Sequence, residues 1–225
     1  MRTITVNGKG RVSAAPDCIQ LTMTLEARDA EYGAAMEKAA RQIAALQEAV
    51  APAGFAEGDL KTADFSVRAD YESVQDDRGR WKQEFRGYVC VHVLNLRFPL
   101  DMQRLSTVLN AVSGVWAGAS ETPEAPQLQI AFTVLDPDAL RGKLLQEAAA
   151  DARRNALVLC EASGVRLGEL ESIRYDPAGL DVRSPTRMET ANAAPRLAAK
   201  AAFDESFAPE EIKVSETAVF VWDIE

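Results

Sequence analysis

One histidine, His92, and three cysteines, Cys18, Cys90 and Cys160, are all that the 225 residues hold of two side chains much used for metal binding and nucleophilic attack. A cluster of several imidazoles is therefore excluded, and a thiol–imidazole pair has a single candidate imidazole. The odd number and wide spacing of the cysteines resemble neither a disulfide framework nor a Cys-x-x-Cys metal site. Each reads first as a small core or surface residue. No run approaches the roughly 20 apolar residues of a membrane span, so no transmembrane segment is expected. There is no Gly-x-Ser-x-Gly and no phosphate-loop pattern. Gly8-x-Gly10 leads into a second strand pattern and not a helix, so it is not a dinucleotide fingerprint.

Positive charge is also short. Lys and Arg number 25 against 34 Asp and Glu, a formal net charge of −9, and the sequence pI is about 4.8. Such a surface repels phosphate backbones, so nucleic acid is not an expected partner. No apolar leader precedes the strand pattern that begins at Ile4. A cytoplasmic location is expected for the chain as given, and a periplasmic or secreted one if a signal peptide has been removed. Hydrophobic content of 47% with 26% charged residues is ordinary for a globular protein long enough to bury a core.

What the chain does have is a junction that occurs twice. Ala53-Gly54-Phe55-Ala56-Glu57-Gly58-Asp59-Leu60 parallels Ser163-Gly164-Val165-Arg166-Leu167-Gly168-Glu169-Leu170. Each follows a long Ala-rich amphipathic stretch and leads into a strand-like segment. A glycine just past a helix takes the left-handed conformation that ends it. At the same offset, Gln20 to Leu25 matches Ile130 to Leu135. One strand–helix–strand unit is thus expected twice, each with a right-handed crossover and parallel strands.

Period-two alternation predicts strands through Ile4–Val12, Ile19–Leu25, Leu60–Ser73, Trp81–Phe98, Leu128–Leu135, Leu170–Tyr175 and Ile212–Ile224. The first two are expected to pair as a hairpin. Met36, Ala39, Ile43, Leu46 and Val50 form the stripe of one long helix, with Asp29 as its N-cap. Leu140, Leu144, Ala148, Ala152, Leu159 and Ala162 are placed inward on another, opened by Asp136-Pro137. A shorter helix carries Leu105, Val108, Leu109 and Val112 and stops at Gly114. Residues 177–209 lack a period and read as a long irregular loop. The expected fold is α+β: duplicated strand–helix–strand units, mixed sheets and two long helices, in one domain over 1–225 with related halves of about 1–98 and 99–225.

Candidate chemistry is thin. Cys90 and His92 share a strand face at i and i+2, about 7 Å apart, too far for a good hydrogen bond. Asp76-Asp77 and Glu210-Glu211 lack the pattern of a calcium loop and read as a turn and a strand entry. No catalytic, cofactor-binding or metal residues are assigned, and no cofactor is expected. The hairpin tip stands out instead. Trp81 and Phe85 lie beside Arg78 and Arg80, and aromatics near a polar tip suit an interface.

The segment Ile4-Thr5-Val6-Asn7-Gly8-Lys9-Gly10-Arg11-Val12 with Pro16-Asp17 resembles the opening of the SIMPL-domain family, long catalogued as a domain of unknown function. The resemblance continues through Asp59-Leu60-Lys61-Thr62, Gly87-Tyr88-Val89, Ala150-Asp151-Ala152-Arg153, Gly164 to Gly168 and Pro209 to Val214. It covers nearly the whole chain with its motifs in order. The departures are the missing signal segment and an irregular stretch at Trp116–Pro126. The family includes bacterial periplasmic immunogenic proteins. The resemblance implies large homo-oligomers in some relatives, envelope or oxidative-stress roles in bacteria, and an adaptor role in a eukaryotic member. It carries over no catalytic set. The expectation is a non-enzymatic protein acting by self-association, as a homo-oligomer, or by binding a protein partner. A small-molecule or metal-ion binding protein with a pocket between the halves is the second reading, and a thiol-dependent enzyme the third.

Overall fold

The computed structural model describes residues 2–76, 78–117, 126–177, 179–190 and 207–225. The elements run β1 (Thr3–Ala14), β2 (Cys18–Asp29), α1 (Tyr32–Val50), β3 (Leu60–Gln75), β4 (Trp81–Pro99), α2 (Met102–Ala117), β5 (Gln127–Thr133), α3 (Pro137–Ala162), β6 (Leu167–Arg174), β7 (Arg187–Thr190) and β8 (Ile212–Ile224). The α+β class is observed. Packing divides the chain into two compact units that interleave in sequence rather than separating near residue 98. One is Met1–Asp17, Thr133–Thr186 and Pro209–Glu225; the other is Cys18–Phe132 and Arg187–Ala208.

The larger unit carries a five-stranded sheet in the order β3-β4-β2-β5-β7. The run β2-α1-β3-β4-α2-β5 with that order is a split βαβ arrangement of ferredoxin-like type. β2 and β3 both pair antiparallel with β4, so they run the same way with β4 between them. Period-two alternation on β2 turns Ile19, Leu21, Met23 and Leu25 inward, and β4 answers with Leu94, Leu96 and Phe98. Leu46 and Val50 of α1 and Leu105, Val108, Leu109 and Val112 of α2 close one apolar cluster over them. α2 runs three residues past Gly114. β7, inside the stretch expected to be loop, pairs antiparallel with β5; its four residues are too few to show a period. Residues 191–206 of that stretch, and 118–125 of the irregular segment before β5, lie outside the described residues.

The smaller unit carries a three-stranded sheet in the order β1-β8-β6. β1 pairs antiparallel with β8 along its full length, from Thr3 opposite Asp223 to Ala14 opposite Ile212. The expected β1–β2 hairpin therefore does not form. At the turn between them, the Asp17 amide donates to the Thr133 carbonyl, and Asp17 Oδ1 accepts from the Leu135 amide at 2.7 Å. The chain is pinned there as it leaves one sheet.

α3 lies on this sheet at close range. A Cβ on Gly8 would stand 2.0 Å from the Ala148 carbonyl oxygen, and one on Gly10 2.0 Å from that of Leu144. The two glycines are where the helix touches the strand. The buried residues of α3 are Leu140, Leu144, Ala148, Ala152, Ala156 and Cys160, a strict step of four. Leu159 and Ala162, expected inward, are exposed. With 3.6 residues per turn, a step of four drifts around the helix, as a helix crossing a twisted sheet requires.

The repeated junction is real as local chemistry. Gly54 and Gly164 have φ of 81° and 69°, the left-handed conformation a side chain resists. Asp136 caps α3, its Oδ1 accepting from the Ala139 amide at 2.9 Å. As a sheet-building unit the duplication fails, because β5 and β6 fall in different sheets. Asp29 also falls short of its expected part. The α1 N-cap is Glu31, with no side-chain cap bond. Asp29 ends β2, where it pairs with Lys38 at 2.6 Å.

Candidate interaction surface

Beyond Gly87 the β3–β4 ribbon leaves the covered part of its sheet. Gly87 has φ 133°, and a Cβ there would stand 2.2 Å from the Asp29 carbonyl oxygen. The register slips at this point: Asp70 faces Gly87 but Tyr71 faces Phe85, so Arg86 is an extra residue on β4. Such a bulge bends the strand and increases its twist. At the far end, Asp76 Oδ1 accepts from the amides of Arg78 and Arg80, each at 2.9 Å. Its other oxygen meets Arg80 Nε at 3.1 Å. These bonds, led by the one from the Arg80 amide, lower the Asp76 pKa.

Directly opposite residues on antiparallel strands share a face. Tyr71 with Phe85, Ser73 with Gln83, and Gln75 with Trp81 therefore make one face of the ribbon; Glu72 with Glu84 and Val74 with Lys82 make the other. The first face has no charge. Tyr71 is 57% exposed, Phe85 47% and Trp81 71%. The rings of Tyr71 and Phe85 meet edge to face at 5.6 Å, Phe85 and Tyr88 at 5.3 Å, and Tyr88 and Tyr32 at 5.6 Å. A ladder of four rings thus runs from the start of α1 out along the ribbon. The second face is charged and internally paired, with Arg86 Nε 2.7 Å from Glu72 and Nη2 3.9 Å from Glu84.

The four residues expected at the interface divide accordingly. Trp81 and Phe85 stand on the uncharged face. Arg80 builds the turn with Asp76, and Arg78 is exposed beside it. Asp70, at the base of the ribbon, is held by Arg28 at 2.9 Å. Tyr32, Tyr71 and Tyr88 were not anticipated. Tyr71 was legible as a period-two partner. Tyr88 joins Phe85 because the bulge at Arg86 reverses parity, which alternation alone does not show.

The thiol–imidazole pair does not form as a reactive couple. His92 is buried, and its Nε2 lies 2.8 Å from Thr62 Oγ1. Its ring meets Phe65 edge to face at 5.1 Å, and its Nδ1 has no hydrogen-bond partner. Burial lowers the His92 pKa, with Asp64 opposing, and burial raises that of the Cys90 thiol. Both groups are held neutral, the reverse of a thiolate–imidazolium pair.

The smaller unit holds one carboxylate that sequence reading missed. Glu216 sits between Val214 and Ala218 at the inward parity of β8 and is buried. The Tyr175 hydroxyl donates to its Oε2, and this bond chiefly raises the tyrosine pKa. Arg141 Nε of α3 stands 3.8 Å from Oε1, and neither atom has a hydrogen-bond partner. That gap is too long for a hydrogen bond. A carboxylate at an apolar parity was the available signal. Its partners come from α3 and from the residue that follows β6, and leave no such signal.

Among the described residues, no group of three or more His, Cys, Asp or Glu is placed to hold a metal ion, and no helix is long and apolar enough to cross a membrane. Asp77 lies outside the described residues, and Glu210 is engaged through its backbone with Ser184 and Thr186. Comparison with known proteins gives a match to the SIMPL model, a protein family of unknown function (DUF541), over residues 4–222. The chain is similar to the uncharacterized protein YggE of Edwardsiella ictaluri, 23% identical over 188 residues that cover 84% of this chain and 74% of that protein. It is also similar to the YggE proteins of Escherichia coli K12 and Shigella flexneri, each 24% identical over 192 residues, 85% of this chain and 73% of theirs.

Proposed function

We propose, from the premise that the chain belongs to the SIMPL family, that this protein acts without catalysis by associating with further copies of itself through the ribbon of residues 68–88. The observation that carries the reading is the exposure of both ribbon faces, with Tyr71, Trp81 and Phe85 in solvent. Three large exposed aromatics on a strand pair that serves no local core are costly to keep unless something covers them. The neutral, buried states of Cys90 and His92 support the non-catalytic part.

Multi-angle light scattering at micromolar concentration tests the proposal. The intact chain is expected above monomer mass. A variant in which residues 74–83 are replaced by Asn-Gly is expected at monomer mass. A strict monomer, unchanged by that deletion, sinks the proposal.

A further inference from the structure

We infer that two copies of this chain meet through the uncharged face of the ribbon, stacked face to face about a two-fold axis, and not by adding strands along the outer edge of β3. The inference rests on the self-association proposed above and names its contact surface.

Charge supplies the first argument. A chain of net charge −9 repels its own copies over most approaches. Tyr71, Ser73, Gln75, Trp81, Gln83 and Phe85 present a stretch on which two copies touch without like charges meeting. The opposite face places Glu72 beside Glu84 with Arg86 shared between them, and carries Lys82 as well. Stacking that face on itself would take eight charged groups, four carboxylates and four cations, out of water, a cost the uncharged face does not carry.

Polar satisfaction supplies the second. Gln83 Nε2 donates to Ser73 Oγ at 2.7 Å, and Gln75 Nε2 donates to the Gly79 carbonyl at 2.9 Å. The amide donors of the face thus have partners within the ribbon, so removing water from them costs less than burying open donors. The rings are already set edge to face, and a second ladder docks on their free faces in the geometry aromatic pairs prefer.

Area and the state of the edge supply the third. Five residues on each of two strands, 71–75 and 81–85, give a face of about 10 by 17 Å. Two such faces stacked bury on the order of a few hundred Å² as flat area, below the size of a standard specific complex. Weak association, in the upper micromolar range, is the expected result. The outer edge of β3 is a poorer template. Its register slips between Thr62 and Asp64, and a bulge of this kind interrupts the ladder that an added strand would need.

Sedimentation velocity on the full chain is the test, with all variants first shown to keep the wild-type circular dichroism spectrum. Tyr71→Ser with Trp81→Ser and Phe85→Ser is expected to weaken association about 30-fold or more. Gln83→Arg, which puts a charge near the centre of the face without removing a ring, is expected to weaken it as well. Ser73→Cys is expected to give a covalent dimer on oxidation, and Val74→Cys, on the charged face, is not. Wild-type association that survives both face variants, or equal cross-linking from position 74, overturns the inference and leaves self-association standing. A wild-type chain that is monomeric throughout removes the association itself.

Discussion

The two units bury their helices by opposite means. In the larger one, α1 and α2 close over Ile19, Leu21, Met23, Leu25, Leu94, Leu96 and Phe98, and the space between helix and sheet is filled by large side chains. In the smaller one, α3 comes down onto Gly8 and Gly10 until carbonyl oxygens and alanines make the contact. Both long helices are rich in alanine, yet only α3 uses alanine for close approach along most of its length. Residue type on the helix therefore does not decide how it packs. The facing strand does: a glycine there removes the layer of side chain that otherwise holds a helix off a sheet.

The contrast is sharpest under substitutions of opposite sense. Gly10→Val is expected to have the largest effect, on the order of 3 kcal/mol or more, because its Cβ has no room unless α3 lifts away. Urea unfolding followed by circular dichroism measures it. A loss under about 1 kcal/mol would show that the close approach is not what holds that unit.

Leu94→Ala in the larger unit follows, at about 2–4 kcal/mol, since it leaves a cavity in a core of large side chains. The matching truncation in the smaller unit, Ala152→Gly, is expected near 1 kcal/mol. If these two cost the same, the distinction between volume-filled and contact-filled cores fails.

The charged group inside the smaller unit is a separate probe. Arg141→Ala leaves the Glu216 carboxylate buried beside Tyr175 alone, at about 1–3 kcal/mol once the partial exposure of the arginine is allowed for. Arg141→Met combined with Glu216→Leu is expected to be neutral or stabilising. A double variant worse than Arg141→Ala would mean that the pair contributes net stability.

Acid acts on the buried imidazole of the larger unit. The His92 pKa is lowered by burial, so the unfolded chain binds the proton more readily. The contribution of this group is present above the unfolded value of about 6.5 and is lost as pH falls below it towards the folded value. Melting temperature is expected to drop between pH 7 and pH 5, and His92→Gln to flatten that drop. An equal drop in the variant would assign the effect to other groups. Gly142→Ala closes the series as a control on α3: its Cβ meets open space, and a gain of roughly 0.5–1 kcal/mol is expected.

Much of this was legible in advance because it is local. Gly54 and Gly164 end helices by their own backbone freedom, and Asp136-Pro137 opens α3 by its own side chain. The exposed ribbon announced itself through charged residues flanking Trp81 and Phe85. The failures share a cause. The duplicated junction suggested duplicated sheets, but β5 joins β2 and β6 joins β8, and such a choice is made between strands distant in sequence. Asp29 had the residue type of an N-cap and lost the place to Glu31, because β2 continues through it to face Tyr88. The parity reversal at Arg86 depends on where the Gly87 backbone meets Asp29.

The sequence by itself determined the elements other than β7, most of their ends, the inward parity of each long strand and the two aromatics of the ribbon tip, all set by residues within a few positions of one another. The tertiary structure alone decided that β1 belongs to β8, that α3 rests on Gly8 and Gly10, that Glu216 finds Tyr175 and Arg141, and that Tyr71, Phe85, Tyr88 and Tyr32 form one ladder. Alternation says which way a side chain points and not which strand, helix or ring it will meet. That is fixed by the closing of contacts between segments up to some 200 residues apart.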